Sequence, residues 1–249
     1  MDAATLPTTR HEDWRYADPE QLEALTPDML DGWKEITVPA GETLAQSLTL
    51  DQRSSILHRL RLDVGEGARA EIFAIVAGAP YTRLEVEVAL GKGAHFEMGG
   101  VTLGSNGTQE IVSRVHHAQQ ATSNQVVRAV QWGRSVGNFI GRIEIPKNSQ
   151  QVDAGQNFKA ILLEAGATAN AKPELEIYAD DVKAAHGAAI GALDEMAGFY
   201  MASRGIPPQT ARKLLVRAFI ADAFEAMSDG TERDAMLEQA LGKLDEAAV

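Results

Sequence analysis

Residues 59–94 read RLRLDVGEGARAEIFAIVAGAPYTRLEVEVALGKGA. Apolar and charged residues alternate at 59–64 and again at 84–88, which is the period of a strand with one buried face. The first run ends in Gly-Glu-Gly-Ala at 65–68, and the similar Gly-Lys-Gly-Ala begins 26 residues later, at 91. Short strands between turns at a fixed distance predict a solenoid in which each coil stacks on the previous one.

The same alternation and the same kind of turn continue on both sides of this stretch. Alternation extends from about Ile36 to Tyr178, and small or polar turn-like clusters recur at 119–122, 146–149 and 164–167. A β-sandwich would alternate in the same way, so the pattern by itself leaves the two architectures open.

The flanking residues have a helical character. Residues 11–30 are polar and helix-prone, and after His186 apolar residues recur at three- and four-residue steps. We therefore predict a mainly β protein with a short N-terminal helical segment at 1–35, a solenoid core at 36–185 and a C-terminal helical region at 186–249. The last helix, expected near 231–248, is acidic and predicted to be solvated.

Composition excludes several classes of function. The 249 residues include 23 Lys and Arg against 35 Asp and Glu, a formal net charge of −12, which repels nucleic acid and anionic membranes. There is no cysteine, so this chain alone supplies no disulfide, thiol nucleophile or all-cysteine cluster site. With no signal-peptide pattern and no run of about 20 apolar residues, we expect a cytoplasmic protein.

Two groups of residues suggest an enzyme. Gly133, Ser135 and Gly137 match the nucleophile-elbow pattern of esterases, but the following residues resemble a strand and not the required helix. The acid pairs 180–181 and 194–195 offer the carboxylates of a polysaccharide lyase or hydrolase, although a turn and a solvated helix face explain them more simply. The enzymatic alternative is therefore an α/β or β-helix hydrolase or lyase acting on esters or polysaccharides.

Two histidine positions are candidate metal ligands. His116 and His117 are adjacent, and neighbouring residues on a strand point to opposite faces, so a structural role is expected for both. His186 lies between the last strand-like run and the first C-terminal helix. An imidazole there can bind iron or zinc, yet one ligand does not make a site.

Longer motifs lie between residues 172 and 207. The chain has KPELEIYADDVK at 172–183, HGA at 186–188, LDE at 193–195 and SRGIP at 203–207. EDWRY at 12–16 and GRI at 141–143 add to this set. Together these motifs resemble the SufB/SufD family of the SUF iron–sulfur cluster assembly system.

The resemblance implies a right-handed parallel β-helix and a scaffold subunit, not an enzyme. It also implies two partners, the cysteine-bearing relative SufB along the β-helix edge and the ATPase SufC at the C-terminal helices, and leaves self-pairing into a homodimer open. Because this chain lacks cysteine, the resemblance places it on the SufD side. Family members often carry cysteine where this chain has Ala184, and many have a longer N-terminal region.

The resemblance also implies roles for individual residues. His186 would face the SufB junction and help to bind a nascent cluster or a transient iron ion, with no cofactor held stably by this chain alone. The residues implied to contact SufC are Phe199, Tyr200, Arg204, Gly205, Ile206 and Leu214.

Overall fold

The computed structural model describes residues 6–78 and 80–245, and twelve strands in this part of the chain form two parallel sheets of six. Sheet A contains, in spatial order, β1 (Trp33–Val38), β3 (Ile56–Val64), β5 (Tyr81–Leu90), β7 (Thr108–His117), β9 (Val136–Ile145) and β11 (Thr168–Ile177). Sheet B contains β2 (Thr43–Leu50), β4 (Arg69–Ala77), β6 (His95–Gly104), β8 (Thr122–Gln131), β10 (Val152–Leu162) and β12 (Val182–Gly191). The chain alternates between the sheets, so the predicted parallel solenoid is confirmed, with about six turns.

The turns follow the repeat seen in the sequence. Gly67 and Gly93 have φ of 64° and 66°, a left-handed conformation that glycine adopts without steric cost. Gln120 and Gln151, in later turns, have the same conformation with φ of 58° and 60°. The spacing of these turns keeps successive strands in register.

The interior between the sheets is apolar over the first coils. Leu60, Leu84 and Ile111 from sheet A meet Ile72 and Met98 from sheet B, and all five are fully buried. Further along, the rings of Phe139 and Phe158 stack across the gap with centroids 5.7 Å apart. Such interdigitation supplies most of the stabilisation of a two-layer β structure.

The N-terminal segment lies on the outer face of sheet A. It contains a 3₁₀ turn at Glu12–Trp14 and the short helices α1 (Pro19–Leu22) and α2 (Pro27–Asp31), as predicted. The Trp14 ring covers the guanidinium of buried Arg83 at 3.8 Å. Arg83 also donates to Glu110 at 2.5 Å and to the carbonyl of Asp13 at 2.9 Å, which fixes the segment on the sheet.

The C-terminal helices are α3 (Glu195–Ser203), α4 (Pro208–Ala221) and α5 (Gly230–Asp245), with a 3₁₀ turn at Asp222–Phe224 after α4. The prediction that the helical region begins at 186 is wrong, because β12 continues to Gly191 and α3 starts at Glu195. Ile190 and Leu193 match a helical period by coincidence, since Ile190 alternates with small residues along a strand.

The prediction of a solvated last helix is also wrong. Met236, Ala240 and Leu244 of α5 are buried against the outer face of sheet B, together with Val216 and Phe224. One apolar stripe therefore anchors this helix despite its acidic composition. No helix in the described part of the chain is long and apolar enough to cross a membrane.

Candidate functional site

The last coil leaves two strands with a free edge. β11 is paired only with β9, and β12 only with β10, within the described residues. Unpaired backbone N–H and C=O groups at a sheet edge form a template for another strand. The C-terminal end of the solenoid is therefore a candidate interface.

The two free edges differ in how strongly they resist pairing with another strand. β11 carries Pro173 and the charges of Lys172, Glu174 and Glu176, features that oppose strand pairing. β12 has Lys183 near its start and then only His186 among Ala, Gly and Ile. Most of its residues are exposed, so β12 is the edge better suited to accept a partner strand.

His186 lies in the middle of β12, not at the strand–helix junction that the sequence suggested. It is in register with Gln156 of β10, which is in register with Gln125 of β8. In-register residues of parallel strands share a face, and this column continues into Met98 of the apolar interior. His186 therefore belongs to the inner face, and it is exposed because no described coil lies beyond it.

Exposed large hydrophobic side chains are found on the last coil and on the two helices that follow it. Among the described residues they are Ile177, Tyr178, Ile190, Met196, Phe199, Tyr200 and Leu214. The first three lie at the end of the solenoid and the other four on α3 and α4. Exposed apolar side chains of this size, where several lie close in the chain, indicate an interaction site.

Helix α3 projects its apolar residues into solvent. It has no buried residue, and Asp194 caps its start by accepting hydrogen bonds from the backbone N–H groups of Met196 and Ala197 at 2.9 and 3.1 Å. Phe199 is 72% exposed and Tyr200 59%. Burying two such rings is a large source of binding free energy.

The other residues predicted to contact a partner lie on the same hairpin. The Arg204 guanidinium lies 5.1 Å from the centroid of the Tyr200 ring, and Gly205 ends the turn with φ of 82°. Ile206 is half-buried, while Leu214 on α4 is 44% exposed. The structure thus brings all six predicted residues onto the α3–α4 hairpin.

The serine and one acid pair of the enzymatic alternative lie in turns of the solenoid. Ser135 is fully buried in the turn between β8 and β9 and donates its hydroxyl to backbone carbonyls of Gly104 and Trp132 at 2.6 and 2.9 Å. A strand follows it, so the nucleophile elbow is absent at this position. Asp180 and Asp181 form the turn between β11 and β12.

The paired histidines point to opposite sides of β7, as predicted. His116 is exposed, 3.5 Å from the Glu144 carboxylate. His117 is buried, with Nε2 2.8 Å from the Ser123 hydroxyl. Burial lowers the pKa of His117 from 6.5 to about 4. In the part of the chain that the structure describes, no three His, Asp or Glu side chains are grouped closely enough to hold a metal ion.

Sequence reasoning missed Gln125 and Gln156, which lie in the same inward column of sheet B as His186. Gln125 is fully buried and Gln156 is 3% exposed. Their one sequence signal is spacing, because 125, 156 and 186 are each separated by about one coil. Without a known register, that spacing does not distinguish them from surface residues.

Comparisons with known proteins agree with this architecture. The family described as "SUF system FeS cluster assembly, SufBD core domain" matches residues 42–219, which span β2 to α4. The chain is 43% identical over 96 residues to the protein ABCI7, chloroplastic, of Arabidopsis thaliana, covering 39% of this chain and 20% of that protein. It is 34% identical over 114 residues to the iron–sulfur cluster assembly protein SufD of Escherichia coli, covering 46% and 27%.

A more distant relative aligns over more of the chain. The SufD of Plasmodium falciparum is 23% identical over 219 residues, covering 86% of this chain but 15% of that protein. The matched segments thus span about a quarter or less of these three relatives. The family match therefore concerns the solenoid from β2 onward and the helices α3 and α4.

Proposed function

Because the chain belongs to the SufBD core family of the SUF iron–sulfur cluster assembly system, we propose that it is a non-catalytic scaffold subunit for cluster assembly. It pairs with a cysteine-bearing SufB-type relative at the open end of the solenoid and docks a SufC-type ATPase on the α3–α4 hairpin. The observation that carries this proposal is the coincidence of three features at one end: an unprotected edge strand, an exposed histidine on the inner face of that strand and the exposed apolar residues of the last coil.

Pairing through β12 satisfies the free edge. A strand of the partner added to β12 would form hydrogen bonds with the unpaired backbone groups of β12. Ile177, Tyr178 and Ile190 would be buried beside it. The small side chains of β12 allow a close approach of the second backbone. This end therefore supplies both hydrogen bonds and apolar area to the interface.

His186 contributes one nitrogen ligand to a cluster or iron ion at that junction. The cluster is the cargo of the assembly, and a single imidazole is insufficient to hold it. Thiolates are the usual ligands of iron–sulfur clusters, and this chain has none. The partner must therefore supply the sulfur ligands.

The α3–α4 hairpin transmits the action of the ATPase. Phe199 and Tyr200 are anchors of the kind that dominate protein interfaces. The hairpin follows β12 after three residues, so a displacement of α3 by the bound ATPase would reach the edge strand directly. ATP-driven movement would then open or close the junction.

Replacing His186 tests the role at the junction. We expect His186→Ala to lower the iron and sulfide content of the reconstituted three-component complex by at least about tenfold, since losing even an outer partner of a metal ligand costs that much. Iron, sulfide and visible absorbance are measured after anaerobic assembly. His116→Ala is the matched control, because it removes an exposed histidine far from β12. Equal cluster content in both variants would refute the ligand role.

Replacing the α3 aromatics tests the docking surface. We expect Phe199→Glu with Tyr200→Glu to abolish binding of the ATPase, because two exposed anchors become charges at an apolar contact. Pairing with the SufB-type subunit should persist, and co-purification measures both. Tyr178→Glu, at the end of the solenoid, should weaken pairing with the SufB-type subunit and leave binding of the ATPase intact. Retained ATPase binding in the double variant would place the docking site elsewhere.

A further inference from the structure

The α3–α4 hairpin, residues 195–221, differs in charge from the rest of the protein. It contains four basic residues and one acidic residue, a formal charge of +3. The remaining residues include 19 Lys and Arg against 34 Asp and Glu, a formal charge of −15. No acidic residue lies between 196 and 221. The exposed apolar side chains of the hairpin therefore lie on a basic segment of an otherwise acidic protein.

Two arginines of the hairpin lie close to these apolar side chains. Arg204 is exposed, and its guanidinium lies 5.1 Å from the centroid of the Tyr200 ring. Arg212 of α4 lines the groove between the two helices together with Gly198 of α3, and its Nε has no hydrogen-bond partner. Glu195 also lines this groove, but neither arginine forms an ion pair within the described residues. Their positive charges are therefore available to a partner.

The other two basic residues lie toward α5. Arg217 donates from Nη1 to the Glu238 carboxylate of α5 at 2.8 Å, so its charge is compensated within the chain. Lys213 is exposed and lines the groove between α4 and α5 together with Leu214. The basic character of the hairpin therefore extends from Tyr200 on α3 to Leu214 on α4.

We propose that the hairpin binds an acidic protein surface, an apolar pocket rimmed by Asp and Glu side chains on the SufC-type ATPase. The inference rests on the proposed docking function. Apolar anchors supply most of the binding free energy, whereas charges at the rim of an interface select the partner and raise the association rate. The Debye length at physiological salt is about 8 Å. The acidic solenoid is therefore largely screened from a partner at the hairpin, where Arg204 and Arg212 dominate the field.

An anionic membrane is a less suitable partner. Exposed aromatic rings among basic residues are also typical of helices that lie on a membrane surface. A lipid surface, however, extends beyond the hairpin and faces the −15 charge of the remaining residues. A pocket on a protein contacts the hairpin alone, so the charge distribution favours a protein partner.

Association kinetics with the ATPase test the role of the two arginines. We expect Arg204→Glu with Arg212→Glu to slow association roughly 10-fold at about 0.15 M salt, because the rim charge changes sign. Raising the salt to about 0.5 M should slow the wild type but not this variant. Arg204→Lys with Arg212→Lys keeps both charges and should associate at nearly the wild-type rate. Lys92→Glu with Lys147→Glu is the matched control, since it changes the net charge equally in two exposed turns of the solenoid, and it should leave the rate unchanged.

A carbodiimide cross-link tests whether the partner's acids meet these positions. The reagent converts a carboxylate into an O-acylisourea, and a lysine amine then attacks its carbonyl carbon, forming an amide and releasing the urea. We expect the lysine introduced by Arg204→Lys to be joined to an Asp or Glu of the ATPase, identified by mass spectrometry of the linked peptides. Arg204→Gln provides no amine and is the control.

Several outcomes would overturn the inference. They are an association rate unaffected by the two glutamates, an equal loss in the Lys92 and Lys147 variant, and no linkage of the lysine at 204 to the ATPase. Binding of the wild-type chain to vesicles of phosphatidylcholine and phosphatidylserine would favour a membrane instead. If Phe199→Glu with Tyr200→Glu retains ATPase binding, the proposed docking site itself fails. If that variant loses binding while the arginine variants behave as wild type, only the acidic partner surface is refuted.

Discussion

His116 and His117 are adjacent in sequence but differ completely in environment. His117 is buried between the sheets, and burial lowers its pKa to about 4. In the unfolded chain the imidazole takes up a proton near pH 6.5. Between these two values the unfolded state binds more protons, so stability decreases as the pH falls from about 6.5 to about 4.

His117→Gln tests this pH dependence. We expect the variant to lose the part of the pH dependence due to this group, which for the wild type is about 3 kcal/mol between pH 6.5 and 4. Urea unfolding at several pH values measures it. Buried Glu85, whose pKa burial raises but Arg83 and Arg114 lower overall, adds acid sensitivity below about pH 4.5 in both proteins. His116→Gln should retain the wild-type slope, and an equally reduced slope there would contradict the assignment.

Sequence patterns predict side-chain direction along a strand but not what lies across the interior. The alternation around 116–117 was sufficient to place the two histidines on opposite faces. For Gln156 it was insufficient, because its contacts with Glu174 and Gly141 come from strands 18 and 15 residues away in the other sheet. Such contacts depend on which residues of sheet A face which residues of sheet B across the interior. The alternation within one strand does not contain this information.

The outer face of sheet B is shaped to receive the C-terminal helices. At Gly99 of β6 a Cβ atom would collide with the carbonyl oxygen of Ala223 and lie 2.5 Å from the Phe73 ring. The Ala223 oxygen is backbone and Phe73 is buried, so neither can easily yield. A glycine at this position therefore allows the 3₁₀ turn after α4 to rest on the sheet.

Gly99→Ala should separate this turn from the sheet. We expect a loss of at least about 2 kcal/mol in the free energy of unfolding, since overpacking a close contact costs roughly 1–3 kcal/mol. Gly198→Ala is the matched control: nothing lies within 4 Å of the added methyl group in α3. It should be neutral or stabilising by up to about 1 kcal/mol. Equal stability of both variants by urea unfolding would show that the packing here is loose.

Long periodic elements were predictable, whereas their ends and their partners were not. The repeat of turns predicted the coils, and the three- and four-residue steps of apolar residues predicted a helical C-terminal region. The predicted solenoid core ends too early, at 185, because residues 186–189 include no large apolar side chain and so give a weak alternation. The burial of α5 was missed because Met236, Ala240 and Leu244 form a narrow stripe in an acidic helix. The acidic composition of α5 favoured the prediction of a solvated helix, although its apolar stripe indicated burial.

The two ends of the solenoid are chemically different although both have free edges. At the first coil, β1 and β2 are the end strands of their sheets. β1 is a six-residue strand with Lys34 and Glu35, and short, charged edge strands resist pairing, whereas β2 has eight residues and no charge. The ends differ more clearly in apolar surface, because exposed large hydrophobic side chains lie at the last coil and, among the described residues, none lies on β1 or β2. Association through the solenoid is therefore expected at the C-terminal end.

A lysine introduced at an inward position of β12 or of β2 tests which end of the solenoid is the interface. Ala188 of β12 is in register with Phe158 and faces inward, and Gln46 of β2 lies in the same inward column as His186 at the opposite end. We expect Ala188→Lys to weaken pairing with the SufB-type subunit, and any self-association of the chain alone, by at least about tenfold, because an inward charge on an edge strand opposes strand addition. Gln46→Lys should leave both unchanged. Sedimentation measures self-association and co-purification measures the mixed pair, with circular dichroism confirming the fold. Loss of pairing in Gln46→Lys but not in Ala188→Lys would move the interface to the first coil, and His186 would then lie at the wrong end of the molecule to meet a cluster.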